Sequence, residues 1–199
     1  LWVGWFGFNG GSALAADSTA SMAVLITHIA ASLGALSWMI IEWIRFGKPS
    51  LVGMVTGMVA GLATITPASG FVGIEGALIL GTLGGVLCYF AVDLIRLRLK
   101  IDDSLDVFAV HGVGGMLGTI LCAWLMSSEK GGVGFDEGLG LFDHLKVQAY
   151  SVLVAVIWTA IASYVILRVI SLFTSLRVDS EDESNGLDNT LHGETGYNK

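Results

Sequence analysis

His111 is the residue best suited to chemistry in this sequence. It follows the apolar run 107–110 and precedes Gly112, Gly114 and Gly115, about one turn into a segment long enough to cross a membrane. An ionisable group inside a span is costly and therefore suggests a function. Imidazole holds or passes a proton near neutral pH, and one ring nitrogen donates while the other accepts. The pattern favours a small substrate that can lose a proton, with a hydrogen-bonded core histidine as the alternative.

The run Trp5-Phe6-Gly7-Phe8-Asn9-Gly10-Gly11-Ser12 is the second candidate. Aromatic faces attract small cations, and a nearby hydroxyl accepts a hydrogen bond. Aromatic residues also anchor helices at membrane interfaces, which is the structural alternative.

The other titratable residues have simpler interpretations. His28 is a second intramembrane histidine, and a hydrogen bond to a neighbouring helix would satisfy it. His144 and His192 fall in a loop and in the tail, where we expect no catalytic role.

The acids Asp102, Asp103 and Asp106 precede the His111 segment and are expected to cap its helix. The sequence contains no phosphate-binding loop, no cluster with metal-ligand spacing and no nucleophile–base pair. We therefore expect neither an enzyme nor a bound metal or cofactor.

The elements that position these residues are predicted transmembrane helices. Hydrophobic residues make up 54% of the 199 residues and charged residues 14%, with 27 glycines. About 20 apolar residues cross the hydrocarbon core. We predict an all-α polytopic bundle of about six spans: a partial one from Leu1 to about Ala16, and full ones at 20–43, 51–69, 75–95, 107–127 and 147–173. Glycines spaced by four, such as Gly57 and Gly61, predict close packing of these helices.

Charge assigns the predicted loops to the two sides of the membrane. Arg45 with Lys48, and Arg96 with Arg98, mark cytoplasmic loops by the positive-inside rule. The loop 127–146 then faces outward. The segment 1–176 is the predicted membrane domain, and 177–199 is a cytoplasmic tail.

That tail holds −4 of the net charge of −7 and cannot bury a core of its own. A nucleic-acid partner is excluded because no basic surface is present. The chain also opens at Leu1 inside an apolar run, without a signal peptide, so we expect that its start is missing.

An ordered set of short motifs resembles the ammonium transporter/methylammonium permease/Rhesus family, on its bacterial side. The matching runs are Gly4-Trp5-Phe6-Gly7-Phe8-Asn9, Gly11-Ser12, Glu42-Trp43, Gly47-Lys48-Pro49-Ser50, Gly61-Leu62, Thr66-Pro67-Ala68, Gly70, Asp102-Asp103, Asp106-Val107-Phe108, His111-Gly112, Gly186-Leu187-Asp188, His192-Gly193-Glu194 and Tyr197. The resemblance implies eleven helices with an inverted repeat, of which this chain is the C-terminal half from partway through the sixth helix. It also implies a homotrimer in the inner membrane, each subunit with its own pore between two halves.

The resemblance also implies roles for particular residues. Phe8 matches a gate at the outer mouth, Ser12 the hydroxyl of an outer ammonium site, and His111 one of two pore histidines. Trp5 and Val107 match residues lining the pore. The implied function is passage of ammonium or ammonia, with a PII-type signalling protein as a partner at the cytoplasmic face.

Other functions remain open at this point. The chain could be an ammonium sensor that signals through its tail, although no output domain follows Arg177. It could also be an inert truncated product, because a half-pore exposes glycine-rich faces to lipid.

Overall fold

The computed structural model describes residues 1–196, and Tyr197, which ends the motif set, lies outside them. The secondary structure of residues 1–196 consists of helices joined by loops and turns, without a strand. The seven α-helices in this range are α1 (Trp2–Gly11), α2 (Ser18–Phe46), α3 (Leu51–Ile65), α4 (Ile74–Val92), α5 (Val113–Leu125), α6 (Leu141–Ile170) and α7 (Ser180–Asn185). Five helical segments in this range are long and apolar enough to cross a membrane: Ser18–Phe46, Leu51–Ala68, Ile74–Arg98, Val107–Leu125 and Leu141–Ile170. The predicted all-α fold with five full spans is confirmed.

Local signals set the start and end of α2 and the start of α3. The side chain of Asp17 accepts a hydrogen bond from the backbone N–H of Ala20 at 3.0 Å, and α2 begins there. That helix ends at Gly47, whose φ of +74° is the left-handed conformation that glycine adopts without strain. Ser50 caps α3 in the same way, through the N–H of Gly53 at 2.8 Å.

The largest differences from the predicted boundaries are at the first helix and at the start of the last span. The first helix ends at Gly11 rather than near Ala16, because two adjacent glycines weaken it and Leu14 turns the chain with a φ of +58°. The last span begins at Leu141 rather than 147, because Asp143 accepts a hydrogen bond from the N–H of Gly140 at 3.1 Å and stabilises a polar first turn. The fourth full span opens with a π-helical stretch, Val107–Gly112, ahead of α5.

The residues 1–152 form one compact unit in which small residues let the helix backbones approach. A Cβ on Gly61 would collide with the carbonyl oxygen of Ala30, so α2 and α3 are in backbone contact there. A Cβ on Gly81 would lie 2.6 Å from the Cα of Ala30. The four-residue glycine spacing therefore marks the tight interfaces between helices, as it does in other membrane proteins.

Two buried clusters fill the spaces between these helices. One has Ile26, Ile65 and Leu80 among its members, and the other is built around Trp38 and Tyr89, whose rings meet edge to face at 5.1 Å.

The residues from Leu153 onward form the second unit. It contains the C-terminal part of α6, of which no residue is buried, and the acidic segment with α7. In that segment Arg177 pairs with Glu183 at 2.9 Å.

Candidate functional site: an apolar groove at His111

Three of the predicted site residues line one groove. Trp5 and Phe8 come from α1, and His111 from the π-helical stretch before α5. The indole of Trp5 stacks on the imidazole of His111, with centroids 6.2 Å apart and an interplanar angle of 20°. Phe8 meets Trp5 edge-on at 6.2 Å. The groove has a volume of about 450 Å³.

Five further residues of the groove lining were not predicted from the sequence. Ala63, Thr66, Pro67, Gly115 and Thr119 complete the groove. Thr66 and Pro67 belong to a motif already quoted, but that motif indicated only the end of a helix. No local signal distinguishes Ala63 or Thr119 from other small residues on a packed helix.

The position of the Trp5 ring is fixed by a hydrogen bond. Its indole N–H donates to the hydroxyl of Thr66 at 2.7 Å, and that hydroxyl donates to the carbonyl of Leu62 at 2.7 Å. Because the indole has a single donor, this bond decides which edge of the ring faces α3. The opposite edge and one face remain for the groove.

The π-helical stretch presents His111 at the groove. In that stretch the N–H of Val113 bonds the carbonyl of Phe108, five residues back. Such widened turns occur often at functional sites. His111 is exposed, and neither ring nitrogen has a hydrogen-bond partner within residues 1–196. Both nitrogens are thus available to a ligand.

Asp103 holds the start of this stretch. Its carboxylate accepts hydrogen bonds from the backbone N–H groups of Val107, Phe108 and Ala109 at 2.8, 3.3 and 3.0 Å. Asp106 acts differently: its carboxylate pairs with Arg96 at 3.2 Å, and its backbone takes a left-handed conformation with φ of +54°. Of the acids expected to cap this helix, Asp103 does so through its side chain and Asp106 does not.

Ser12 and Val107 lie beside the groove and not in its lining. Ser12 is one turn beyond Phe8, and its exposed hydroxyl donates to the carbonyl of Phe8 at 2.7 Å. Its oxygen still has lone pairs to accept a further donor. Val107 lies four residues before His111 and is 54% exposed.

The helix that carries Trp5 and Phe8 is held to α2 by a buried polar pair. The side-chain amide of Asn9, 3% exposed, donates to the hydroxyl of Thr27 at 2.9 Å. On the adjoining turn, the ring of His28 packs against Trp2 and Phe6 at 5.1 and 6.0 Å. His28 lies among aromatic rings and outside the groove.

The chemistry available in the groove is limited. His111 is the one ionisable residue in its lining, and the hydroxyl groups come from Thr66 and Thr119. The groove can bind a small molecule that donates or accepts hydrogen bonds. Within the described range, no three His, Cys, Asp or Glu side chains converge as metal ligands.

These helices and this groove define a polytopic helical membrane protein. The model of the Ammonium Transporter Family matches residues 1–197, and the chain belongs to that family. It is 44% identical to an ammonium transporter of Aquifex aeolicus, over 100% of this chain and 46% of that protein. An ammonium transporter of Bacillus subtilis is 40% identical over 99% of this chain and 49% of its own length.

Solved structures give the same assignment. A structure described as a sensor Amt protein superposes with a TM-score of 0.86 at 33% identity, covering 94% of this chain and 46% of that one. The Mep2 protein of Saccharomyces cerevisiae gives 0.76 at 36% identity, covering 87% and 42%. The relatives from Aquifex aeolicus and Bacillus subtilis are both described as ammonium transporters. The chain spans about half the length of the relatives it matches.

Proposed function

We propose that this chain forms one half of a pore that carries ammonium, as ammonia, across a cell membrane. The stacking of Trp5 on His111 in a groove that Phe8 also lines carries this proposal. The chain spans about half the length of each relative. An exposed histidine in a membrane segment must be shielded from lipid by protein. The remaining half of a full-length protein shields it, so the pore lies between two halves.

The lining favours a neutral substrate at the level of His111. Moving a bare cation into an apolar passage costs several kcal/mol or more. Potassium and ammonium have similar sizes, but ammonium can transfer its proton to a base and continue as ammonia. The imidazole of His111 can accept that proton at a ring nitrogen and pass it on. We infer that His111 accepts a hydrogen bond from ammonia at one ring nitrogen and donates one to it from the other. Trp5 and Val107 line the path.

The cation is collected before the passage. The faces of Phe8 and Trp5 attract a small cation, and Ser12 offers the hydroxyl oxygen of an outer site. The positive-inside assignment is consistent with this placement, because α1 then ends on the outer side. In the same assignment 1–176 is the membrane domain, and 177–199 is a cytoplasmic tail. The family resemblance implies that the whole protein is a homotrimer in the inner membrane.

Replacing His111 with alanine tests the central role. The variant is made in the membrane protein that contains this chain, reconstituted in liposomes, and ammonium flux and potassium leak are measured together. We expect ammonium flux to fall by about tenfold or more, or potassium to enter, since a positioned proton-transfer group contributes at least that much. Unchanged flux with unchanged potassium exclusion refutes the role. His192→Ala, in the tail, is the matched control.

A sensor that signals through its tail is the second candidate. It is favoured by the superposition on a structure described as a sensor Amt protein. The acidic segment from Asp179 would be the surface for a PII-type partner. Deleting 179–199 should then impair regulation and leave the pore intact. If the deletion changes neither partner binding nor transport, the tail has no such role.

A further inference from the structure

A second cavity lies on the other side of Pro67 from the groove. Its volume is about 400 Å³, and Pro67 lines both spaces. Its walls come from the end of α5, the loop that follows it and the first turns of α6. The lining consists of Pro67, Phe71, Cys122, Met126, Val133, Gly134, Phe135, Asp136, His144 and Gln148.

The imidazole of His144 is the unusual feature of this cavity. Its side chain is 11% exposed, and its Nε2 atom is buried with no hydrogen-bond partner in the described part of the chain. Leaving a buried polar atom without a partner costs about 1 to 3 kcal/mol. Such an atom in a lined cavity indicates a ligand that supplies the missing hydrogen bond.

Two further polar side chains line the cavity, those of Asp136 and Gln148. The Oδ2 atom of Asp136 is 4.0 Å from Nε2, too far for a direct hydrogen bond but close enough for one donor to reach both atoms. Gln148 lies one turn along the same face of α6 and brings an amide oxygen to the lining. An imidazole nitrogen, a carboxylate and an amide oxygen together match a cation that carries several N–H donors.

Aromatic rings complete the cavity. Phe135 stacks on His144, with centroids 5.2 Å apart and planes at 27°, and Phe71 lines the same space. The stacking holds the imidazole in place, and the aromatic faces favour a cation over an anion.

We propose that this cavity is an accessory binding site for a small ammonium-type cation, ammonium or methylammonium, held by His144 and Asp136. The volume exceeds what ammonium alone needs, so the cation enters with water or with a methyl group. The inference deepens the proposed function and rests on it: the loop that carries Asp136 faces outward in the positive-inside assignment. Cations would bind there, in a cavity that shares Pro67 with the groove.

The chemistry argues against other occupants. Potassium prefers several oxygen ligands, whereas an imidazole nitrogen accepts a directed N–H hydrogen bond. Zinc favours imidazole but needs about four ligands, and no set of three metal-ligand side chains converges in residues 1–196. A bridging water would satisfy His144 but would not respond to the salt that is added.

The test uses the imidazole of His144 as a local reporter. The membrane protein that contains this chain is labelled with 13Cε1-histidine in nanodiscs, and the His144 signal is assigned by its loss in His144→Phe, which keeps an aromatic ring. Methylammonium chloride is titrated at fixed pH against equal concentrations of potassium chloride. We expect a saturable shift with methylammonium alone.

Two variants make the result specific. Asp136→Asn should raise the methylammonium concentration at the midpoint about two- to fivefold, since it removes a charged acceptor that is 81% exposed and therefore strongly screened. Glu137→Gln makes the same charge change at the next residue, which does not line the cavity, and should leave the midpoint unchanged.

The outcomes separate this site from the pore. A His144 signal that does not shift with methylammonium, or that shifts equally with potassium, overturns the accessory site, even if flux is normal. A saturable methylammonium shift supports the site even in a preparation without ammonium flux, and in that case the pore proposal is the one that fails.

Discussion

The indole N–H of Trp5 donates a 2.7 Å hydrogen bond to the hydroxyl of Thr66, 61 positions away in the chain. This bond joins α1 to the end of α3 and sets the plane of the ring that stacks on His111. A residue without a charge, at the turn after a helix, thereby orients the aromatic wall of the groove.

Thr66→Val is predicted to impair transport more than folding. Valine has nearly the shape of threonine but offers no acceptor, so the indole N–H loses its hydrogen bond to Thr66 and the ring gains freedom to rotate. We expect ammonium flux to fall about threefold to tenfold, corresponding to one lost hydrogen bond of about 0.5 to 1.5 kcal/mol. Ammonium flux in liposomes measures the loss of transport, and the fluorescence of Trp5 reports the added rotation of its ring.

Thr119→Val provides the matched control. Thr119 lines the same groove, but its hydroxyl donates to the carbonyl of Gly115 in its own helix at 2.8 Å. Its replacement should change flux little. Equal losses in both variants would mean that the polarity of the groove matters and that the Trp5 bond does not.

Asn9→Ala is predicted to loosen the first helix from the second. The variant removes the 2.9 Å bond to Thr27, whose hydroxyl keeps its own bond to the carbonyl of Ala23. Side-chain hydrogen bonds between membrane helices contribute modestly, so the free energy of unfolding in detergent should fall by about 0.5 to 1.5 kcal/mol. Ser12→Ala removes an exposed hydroxyl three residues further on and should change it by less than about 0.5 kcal/mol.

Asp103→Ala is predicted to disorder the segment that carries His111. One carboxylate satisfies three backbone N–H groups there, and losing a helix cap costs about 0.5 to 2 kcal/mol. Hydrogen exchange at 107–109 should accelerate, and ammonium flux should decline with it. Asp106→Asn, which removes a half-exposed pairing with Arg96, should leave exchange at those amides nearly unchanged. If exchange at 107–109 were faster in Asp106→Asn than in Asp103→Ala, Asp106 and not Asp103 would be the cap.

Gly118→Ala is predicted to separate α5 from α3. A Cβ at this position would collide with the backbone oxygen of Thr64 and lie 2.9 Å from the Cγ of Pro67. Overpacking of this kind costs about 1 to 3 kcal/mol in the free energy of unfolding.

Gly115→Ala lies on the same helix and meets nothing within 4 Å. It should stabilise the helix by up to about 1 kcal/mol, because alanine has the higher helix propensity. The free energy of unfolding in detergent is measured for both variants. Equal changes would contradict a close contact at Gly118.

The sequence by itself determined the helices, because their signals are local. Apolar length set the five spans, Asp17 and Ser50 set helix starts, and Gly47 set an end. The first helix and the last span were misjudged by several residues, because adjacent glycines and the Asp143 turn were weak signals beside the apolar runs.

The site divides between sequence and structure in a similar way. Residue types alone singled out His111 and the run from Trp5 to Ser12, and the resemblance added individual roles and Val107. The structure places Trp5, Phe8 and His111 around one groove. Ser12 and Val107 do not line that groove, and the roles of all these residues stay predictions.

Tertiary structure alone decided which side chains meet. The bond from Trp5 to Thr66, the stacking on His111 and the unpaired nitrogen of His144 each depend on residues far apart in the chain. Hydrophobic periodicity records which face of a helix is buried, but it does not record which partner covers that face. Those pairings follow from the way the helices pack at their glycines.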